Sequence, residues 1–243
     1  MTMPSNIFDI LILIARPASG KSEIIHFLKH LPREERARRF HIGALEEIDD
    51  FPMLWTWFEE DDILERLGHP RLHSTPDYYF KNPVLWHVLI ERISLEYAKR
   101  WRDRPDLHET HTVLVEFSRG APSGGYREAF QHLSEDMLRR AGVLYVEVTY
   151  EESLRKNRRR FNPERPDSIL EHALQDEKMA RLYKEDDFAD FSAADPEWLT
   201  ARGVRVPYIV FPNHDDVTTG KPDQLARRLE ERLGALWELY QER

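Results

Sequence analysis

The stretch Ile7 to Leu28, IFDILILIARPASGKSEIIHFL, constrains this chain more than any other. Its opening run of Ile, Leu and Phe reads as a strand buried on both faces. That run leads into Ala15-Arg16-Pro17-Ala18-Ser19-Gly20-Lys21-Ser22, and a helix-period stretch with Ile24, Ile25, Phe27 and Leu28 follows at once. The pattern G-x-x-x-x-G-K-[ST] between a strand and a helix is a phosphate-binding loop. Seven of its eight positions are met, with Ala15 where the first glycine would stand. Gly20 lets backbone N–H groups close around a phosphate, Lys21 supplies a mobile point charge, and the Ser22 hydroxyl can hold Mg²⁺. The helix that follows aims its positive end at the same place. A G-K-S tripeptide in an ordinary turn would account for neither the apolar run before it nor the helical pattern after it.

Composition sets the outer limits. The chain has 243 residues, 41% of them hydrophobic and 33% charged, which fits a single α/β domain over 1–243 with an elaboration and a well-solvated surface. Without cysteine there is no disulfide framework, thiolate metal site or cysteine nucleophile. No segment approaches the ~18 uninterrupted apolar residues of a membrane span, and MTMPSN is too short and polar for a signal peptide. A soluble, cytoplasmic protein is expected. The net charge of −9 argues against general nucleic-acid binding.

Along the chain, the charged run Arg33 to Arg39 interleaves both signs and reads as a solvated helix extension or loop. Phe40 to Ile48 is a weaker strand candidate that ends in Asp49-Asp50-Phe51-Pro52. Carboxylates there lie on the edge where open parallel sheets bind ligands, or one Asp caps the helix that Pro52 opens. Both uses are compatible. Helices are expected over Pro52 to Leu67 and Pro83 to Arg102, with a loop from Gly68 to Asn82. Together 52–110 would form a helical cap that binds the acceptor, with His69, Arg71, His73, Tyr78 and Tyr79 as contact candidates and the tryptophans as core.

Thr112 to Phe117, TVLVEF, is a clear strand, and Glu116 at its end has the position of a metal-facing carboxylate. Arg119 lies just beyond it, near the same edge. A helix is expected over Tyr126 to Ala141. Val143 to Val148 is the fourth strand, and a helix bearing Arg155, Lys156, Arg158, Arg159 and Arg160 follows. Arg155 and Arg159 are one turn apart with Arg158 beside them, so guanidiniums suited to phosphate share a face. The alternative is a surface helix that pairs with nearby glutamates. Phe161 to Leu182 reads as a mobile segment and then a helix from about Ser168, so that 152–185 would act as a lid. A short helix is expected around Pro196 to Thr200, and the fifth strand is Val206 to Phe211. Asn213 follows it. The last helix begins at Pro222, and its Trp237 and Tyr240 are candidates for a homodimer face. Strands alternating with helices imply a three-layer, doubly wound parallel sheet.

In this order the chain resembles the P-loop kinases of nucleosides, nucleotides and small metabolites. Asp49-Asp50-Phe51 resembles the D-D-F corner of uridine-kinase-like and nicotinamide-riboside-kinase-like enzymes. The Glu116 strand resembles their third strand, Arg155 to Arg160 the base of their lid, and Asn213 their adenine-proximal loop. The resemblance implies a five-stranded sheet of order 2-3-1-4-5, with ATP and Mg²⁺ as cofactors and a small-molecule acceptor. It implies that Ala15 to Ser22 cradle the donor phosphates, assisted by Arg158 and Asn213, while Ser22, Glu116 and Asp50 serve the metal. Lys21, Asp49, Arg119, Arg155 and Arg159 would carry the transfer, with Asp49 or Asp50 as base. His214-Asp215 replaces the family's usual glycine after Asn213, and no relative matches the 52–110 insertion. Two other classes stay open. A GTPase-type switch would need a Lys in Asn213-His214-Asp215-Asp216 and a D-x-x-G after Glu116. A non-catalytic nucleotide binder would use the acidic corner only as a helix cap.

Overall fold

The computed structural model describes residues 6–160 and 174–243. Part of the expected lid, 161–173, therefore lies outside the described residues. Six strands form one mixed sheet: β1 Ile10–Ala15, β2 Ala44–Asp49, β3 His111–Phe117, β4 Ala141–Glu147, β5 Trp198–Ala201 and β6 Val204–Pro212, in the order β2-β3-β1-β4-β6-β5. The helices are α1 Lys21–His30, α2 Arg33–Phe40, α3 Asp50–Arg66, α4 Val84–Asp103, α5 Leu107–Thr110, α6 Gly125–Gln131, α7 Glu135–Leu138, α8 Tyr150–Arg160, α9 Asp176–Tyr183, α10 Phe188–Ser192 and α11 Pro222–Gln241.

The strand β1 is central and shows why its sequence has no polar face. Ile10, Ile12 and Ile14 enter a core with α4, α6, α7 and α10, whereas Leu11, Leu13 and Ala15 enter a second core with α1, α2 and α11. Side chains alternate along a strand, so a strand covered on both sides must be apolar throughout. The expected REERARR extension is the helix α2, whose Phe40 is fully buried.

The sheet departs from the expected five parallel strands at one edge. Trp198–Ala201, expected as a short helix, is a strand antiparallel to β6, with Ala201 opposite Val204. The cause is the two-residue turn Arg202-Gly203, both at positive φ (51° and 75°), which is the twist a tight hairpin requires. The expected fifth strand is therefore β6, beside β4, and β5 closes the edge outside it.

The helix expected over Tyr126 to Ala141 is two shorter ones, α6 and α7, and Ser134 starts the second by accepting from the Met137 N–H. The α11 aromatics are used inside the chain. Tyr240 is buried and donates to the Arg140 carbonyl, and Trp237 stacks on His41 at 4.5 Å. Tyr240 is therefore not exposed, and Trp237 is half-buried. No helix among the described residues is long and apolar enough to cross a membrane.

Candidate active site

The loop from Ala15 to Ser22 joins β1 to α1 at the C-terminal edge of the sheet. Gly20 takes φ 108°, a conformation that suits glycine, and a Cβ there would lie 2.5 Å from Thr218 Oγ1 and 2.9 Å from Asn213 Nδ2. The loop is held from several sides. Ser19 Oγ donates to the Arg16 carbonyl at 2.6 Å, Ser153 Oγ to the Pro17 carbonyl at 2.7 Å, and Asn213 Nδ2 to the Ser19 carbonyl at 2.8 Å. Asn213, fully buried, thus braces the loop from behind and does not line the cleft. The Arg16 side chain also turns away, donating to the carbonyls of Val148, Tyr183 and Lys184 and pairing with Asp186 at 2.9 Å.

Lys21 is buried across the mouth of this loop. Its Nζ donates to Ser118 Oγ at 2.8 Å and lies 3.7 Å from Glu116 Oε1. Burial lowers the Lys21 pKa, opposed by the charges of Glu116 and Asp49; burial raises the pKa of Glu116, opposed by Lys21. Asp49 sits beside Glu116 because β2 and β3 pair in parallel with those two residues in register. Neither residue's spacing in sequence reveals that adjacency. Burial and the charges of Glu116 and Asp50 push the Asp49 carboxyl up to about 7, although it accepts the Phe51 N–H at 2.9 Å as the cap of α3. The capping role and a place at the ligand edge thus fall to one residue.

Asp50 points the other way, to Arg119. The pair is buried at 2.6 Å, and Arg119 also donates to the Trp86 carbonyl and lies over the Trp86 ring at 5.1 Å. Asp50, Arg119 and Trp86 are one unit that ties the acidic corner to α4.

Of the arginines on α8, the one that reaches the loop is Arg160, which donates to Ser22 Oγ at 3.1 Å. The inward face of α8 is Ser153, Lys156, Asn157 and Arg160 rather than the expected 155/159 face. Lys156 Nζ bonds Asp216 Oδ1 at 2.8 Å and Thr218 Oγ1 at 3.0 Å, reinforcing the residues behind Gly20. Arg155 pairs with Glu152 and Asp216, Arg158 pairs with Asp176, and Arg159 is exposed; none of the three lines the cleft. Charge density had suggested the helix, but only its packed face says which residues look inward.

One cavity of about 380 Å³ is lined by loop residues Pro17 to Ser22, both aspartates, Glu116 and Arg119. The same cavity is lined by Trp55, Phe58, Tyr78, Phe80 and Trp86 from α3, α4 and the loop between them. Tyr78 and Tyr79 line it too, as do Lys178 and Arg181 of α9. His69, Arg71 and His73 do not line it. Arg71 is instead consumed by Asp62 at 2.6 Å, Glu65 at 3.1 Å and Ser74 Oγ at 3.0 Å. Asp61 was not singled out from sequence, yet it is fully buried and accepts the backbone N–H groups of Leu72, His73 and Ser74. It shapes the loop that carries Tyr78 and Phe80, and several hydrogen bonds from those groups hold its pKa down against burial. An acidic residue inside an amphipathic helix gives no sequence signal of such a task.

No protein-family model and no curated protein matches the chain. Similar solved structures include an unliganded sugar kinase from Janibacter sp. HTCC2649, at 13% identity over 93% of this chain and 95% of that one, with a TM-score of 0.37. Shikimate kinase from Acinetobacter baumannii in complex with shikimate matches at 14% identity over 91% and 90%, with a TM-score of 0.38. APE1195 matches at 15% identity over 98% and 99%, with a TM-score of 0.41. At such distances the site has to be read from its own geometry.

Proposed function

We propose that this chain is an ATP- and Mg²⁺-dependent phosphotransferase that moves the γ-phosphate to a small molecule held in the aromatic chamber. The observation that supports it most is that one cavity is lined by the Pro17–Ser22 loop, by Asp49 and Glu116, and by the aromatic side chains. A donor and an acceptor bound together in it would bring their reacting atoms to those carboxylates. Phosphoryl transfer asks mainly for such positioning and for neutralisation of charge.

Backbone N–H groups from Arg16 to Ser22 would hold the donor phosphates, and Lys21 would exchange its Ser118 contact for phosphate oxygens. The donor set fits Mg²⁺: Ser22 Oγ and the Glu116 carboxylate are hard oxygens, and the repulsion among Glu116, Asp49 and Asp50 is what a divalent cation relieves. Bound there, Mg²⁺ supplies charge neutralisation for the phosphates. Asp49, with its pKa near neutrality, would accept the proton of an acceptor hydroxyl. Arg119 would keep Asp50 and Trp86 in place beside it, and Arg160 would move from Ser22 onto the transferring group.

The ring-lined walls favour an acceptor with a planar ring, as a nucleoside has. The test is ADP release with MgATP over a panel of nucleosides, nucleotides, sugars and vitamins. Acceptor-dependent release that disappears in Lys21→Ala is the expected result. ADP release of equal rate with and without every acceptor would instead indicate a simple NTPase, and no release from a chain that binds ATP would indicate a non-catalytic binder.

A further inference from the structure

On the far side of the acceptor wall, α4 and α6 face each other with histidines and glutamates at matching intervals. His87 and Glu91 are one turn apart on α4; Glu128 lies on α6 and His132 at its end, also one turn apart. One ligand atom from each of His87, Glu128 and His132 lies within 4.8 Å of the others. The two imidazoles are stacked, centroids 4.4 Å apart and planes 19° apart. Gly124 leaves room for this crowding, since a Cβ there would sit 3.0 Å from Glu128 Cβ and 3.2 Å from His87 Cε1.

The hydrogen-bonding pattern of His132 adds a second, independent pointer. Its Nδ1 lies 3.0 Å from Glu91 Oε1, and a carboxylate can only accept, so Nδ1 carries the proton. In the neutral ring Nε2 is then a bare lone pair, and it lies 3.7 Å from Glu128 Oε1. A cation between these two acceptors, a proton or a metal ion, satisfies both. A carboxylate that fixes a histidine through one nitrogen while the other faces outward is also the usual arrangement behind a metal-bound imidazole.

We propose that His87, Glu128 and His132 form a binding site for a zinc-class divalent transition-metal ion, with Glu91 orienting His132. Two imidazoles and one carboxylate suit Zn²⁺ and its neighbours, whereas Mg²⁺ prefers oxygen alone. Ligand atoms on a tetrahedral Zn²⁺ sit roughly 3.4 Å apart given metal–ligand lengths near 2.0–2.1 Å. The half-buried rings and exposed Glu128 can close to that by small side-chain rotations. The ion would clamp α4 to α6 directly behind Trp86, whose carbonyl Arg119 already holds. The site stands whether or not the chain transfers phosphate.

The test uses the full chain, stripped with a chelator, dialysed and titrated with ZnCl₂ by calorimetry, with bound zinc counted by elemental analysis. Wild type is expected to take one tight equivalent that MgCl₂ does not displace. His87→Ala with His132→Ala should abolish it, and Glu91→Gln should weaken it roughly 10–100-fold. His26→Ala with His30→Ala, which removes the other close histidine pair, should leave it intact. Circular dichroism checks that each variant is folded, and Glu128→Gln gives a surface variant that removes a ligand with little packing change. X-ray absorption at the zinc edge should report two imidazole ligands. Absence of zinc uptake by wild type, equal uptake by the His87/His132 double variant, or an absorption spectrum without imidazole would overturn the assignment.

Discussion

Replacing Asp49 with Asn should make this protein more stable while disabling it. An ordinary aspartate ionises near 3.8, and Asp49 near about 7, chiefly through burial and then through the charges of Glu116 and Asp50. Between those two values the folded chain keeps a proton that the unfolded chain has released, so stability falls as pH rises. At about 1.4 kcal/mol per pH unit, the ionised carboxylate destabilises the fold by at most about 4 kcal/mol above pH 7. Asn removes the charge but keeps an oxygen to accept the Phe51 N–H, so the cap of α3 survives. Urea unfolding at several pH values between 4 and 8.5, without nucleotide or Mg²⁺, measures the difference. The variant should be about 2–4 kcal/mol more stable at pH 8, by the same conversion, and the two proteins should converge towards pH 4. Adding Mg²⁺ should stabilise wild type more than the variant. A variant less stable than wild type at pH 8, or a difference that does not change with pH, would refute the picture of a repelled carboxylate at the strand ends.

Three further outcomes follow from the same geometry. Gly20→Ala forces a Cβ against Thr218 and Asn213 at a positive φ and should cost roughly 1–3 kcal/mol in urea unfolding along with nucleotide affinity; an unchanged ATP affinity by calorimetry would count against the bracing described. Arg119→Leu leaves Asp50 buried without its partner and should destabilise by about 3–5 kcal/mol, whereas Arg119→Leu with Asp50→Asn should recover much of that in thermal melts. Trp86→Ala should raise the acceptor KM and leave ATP affinity within about twofold, since it lines the chamber and not the phosphate loop.

Much of the fold was legible because the central strands carry continuous apolar runs, ILILIA in β1 and VLV in β3, as a two-sided core requires. The edge hairpin was not, because Trp198 to Ala201 is short and its turn is marked only by Arg202-Gly203. The strand–loop–helix around Gly20 was readable residue by residue, since the turn depends on Gly20 itself. Other site features depend on long-range register. Asp49 meets Glu116 only through strand pairing, and Arg160 rather than Arg155 reaches Ser22 only through the face that α8 packs. Aromatics on an amphipathic helix look alike whether they fill a core or line a chamber. Trp55 and Trp86 line the chamber, and Trp57, stacked on His73 at 5.3 Å, does not.

The side chain of Arg16 has a consequence for how the cleft responds to its ligands. It starts in the donor loop and ends on the carbonyls of Tyr183 and Lys184 at the end of α9, the helix whose Lys178 and Arg181 flank the chamber. On the proposed function, a displacement of α9 by an acceptor would pull on the backbone that grips phosphate, and a tightened loop would resist it. Donor and acceptor affinities would then be coupled through this one guanidinium, each ligand changing the other's affinity by the same factor.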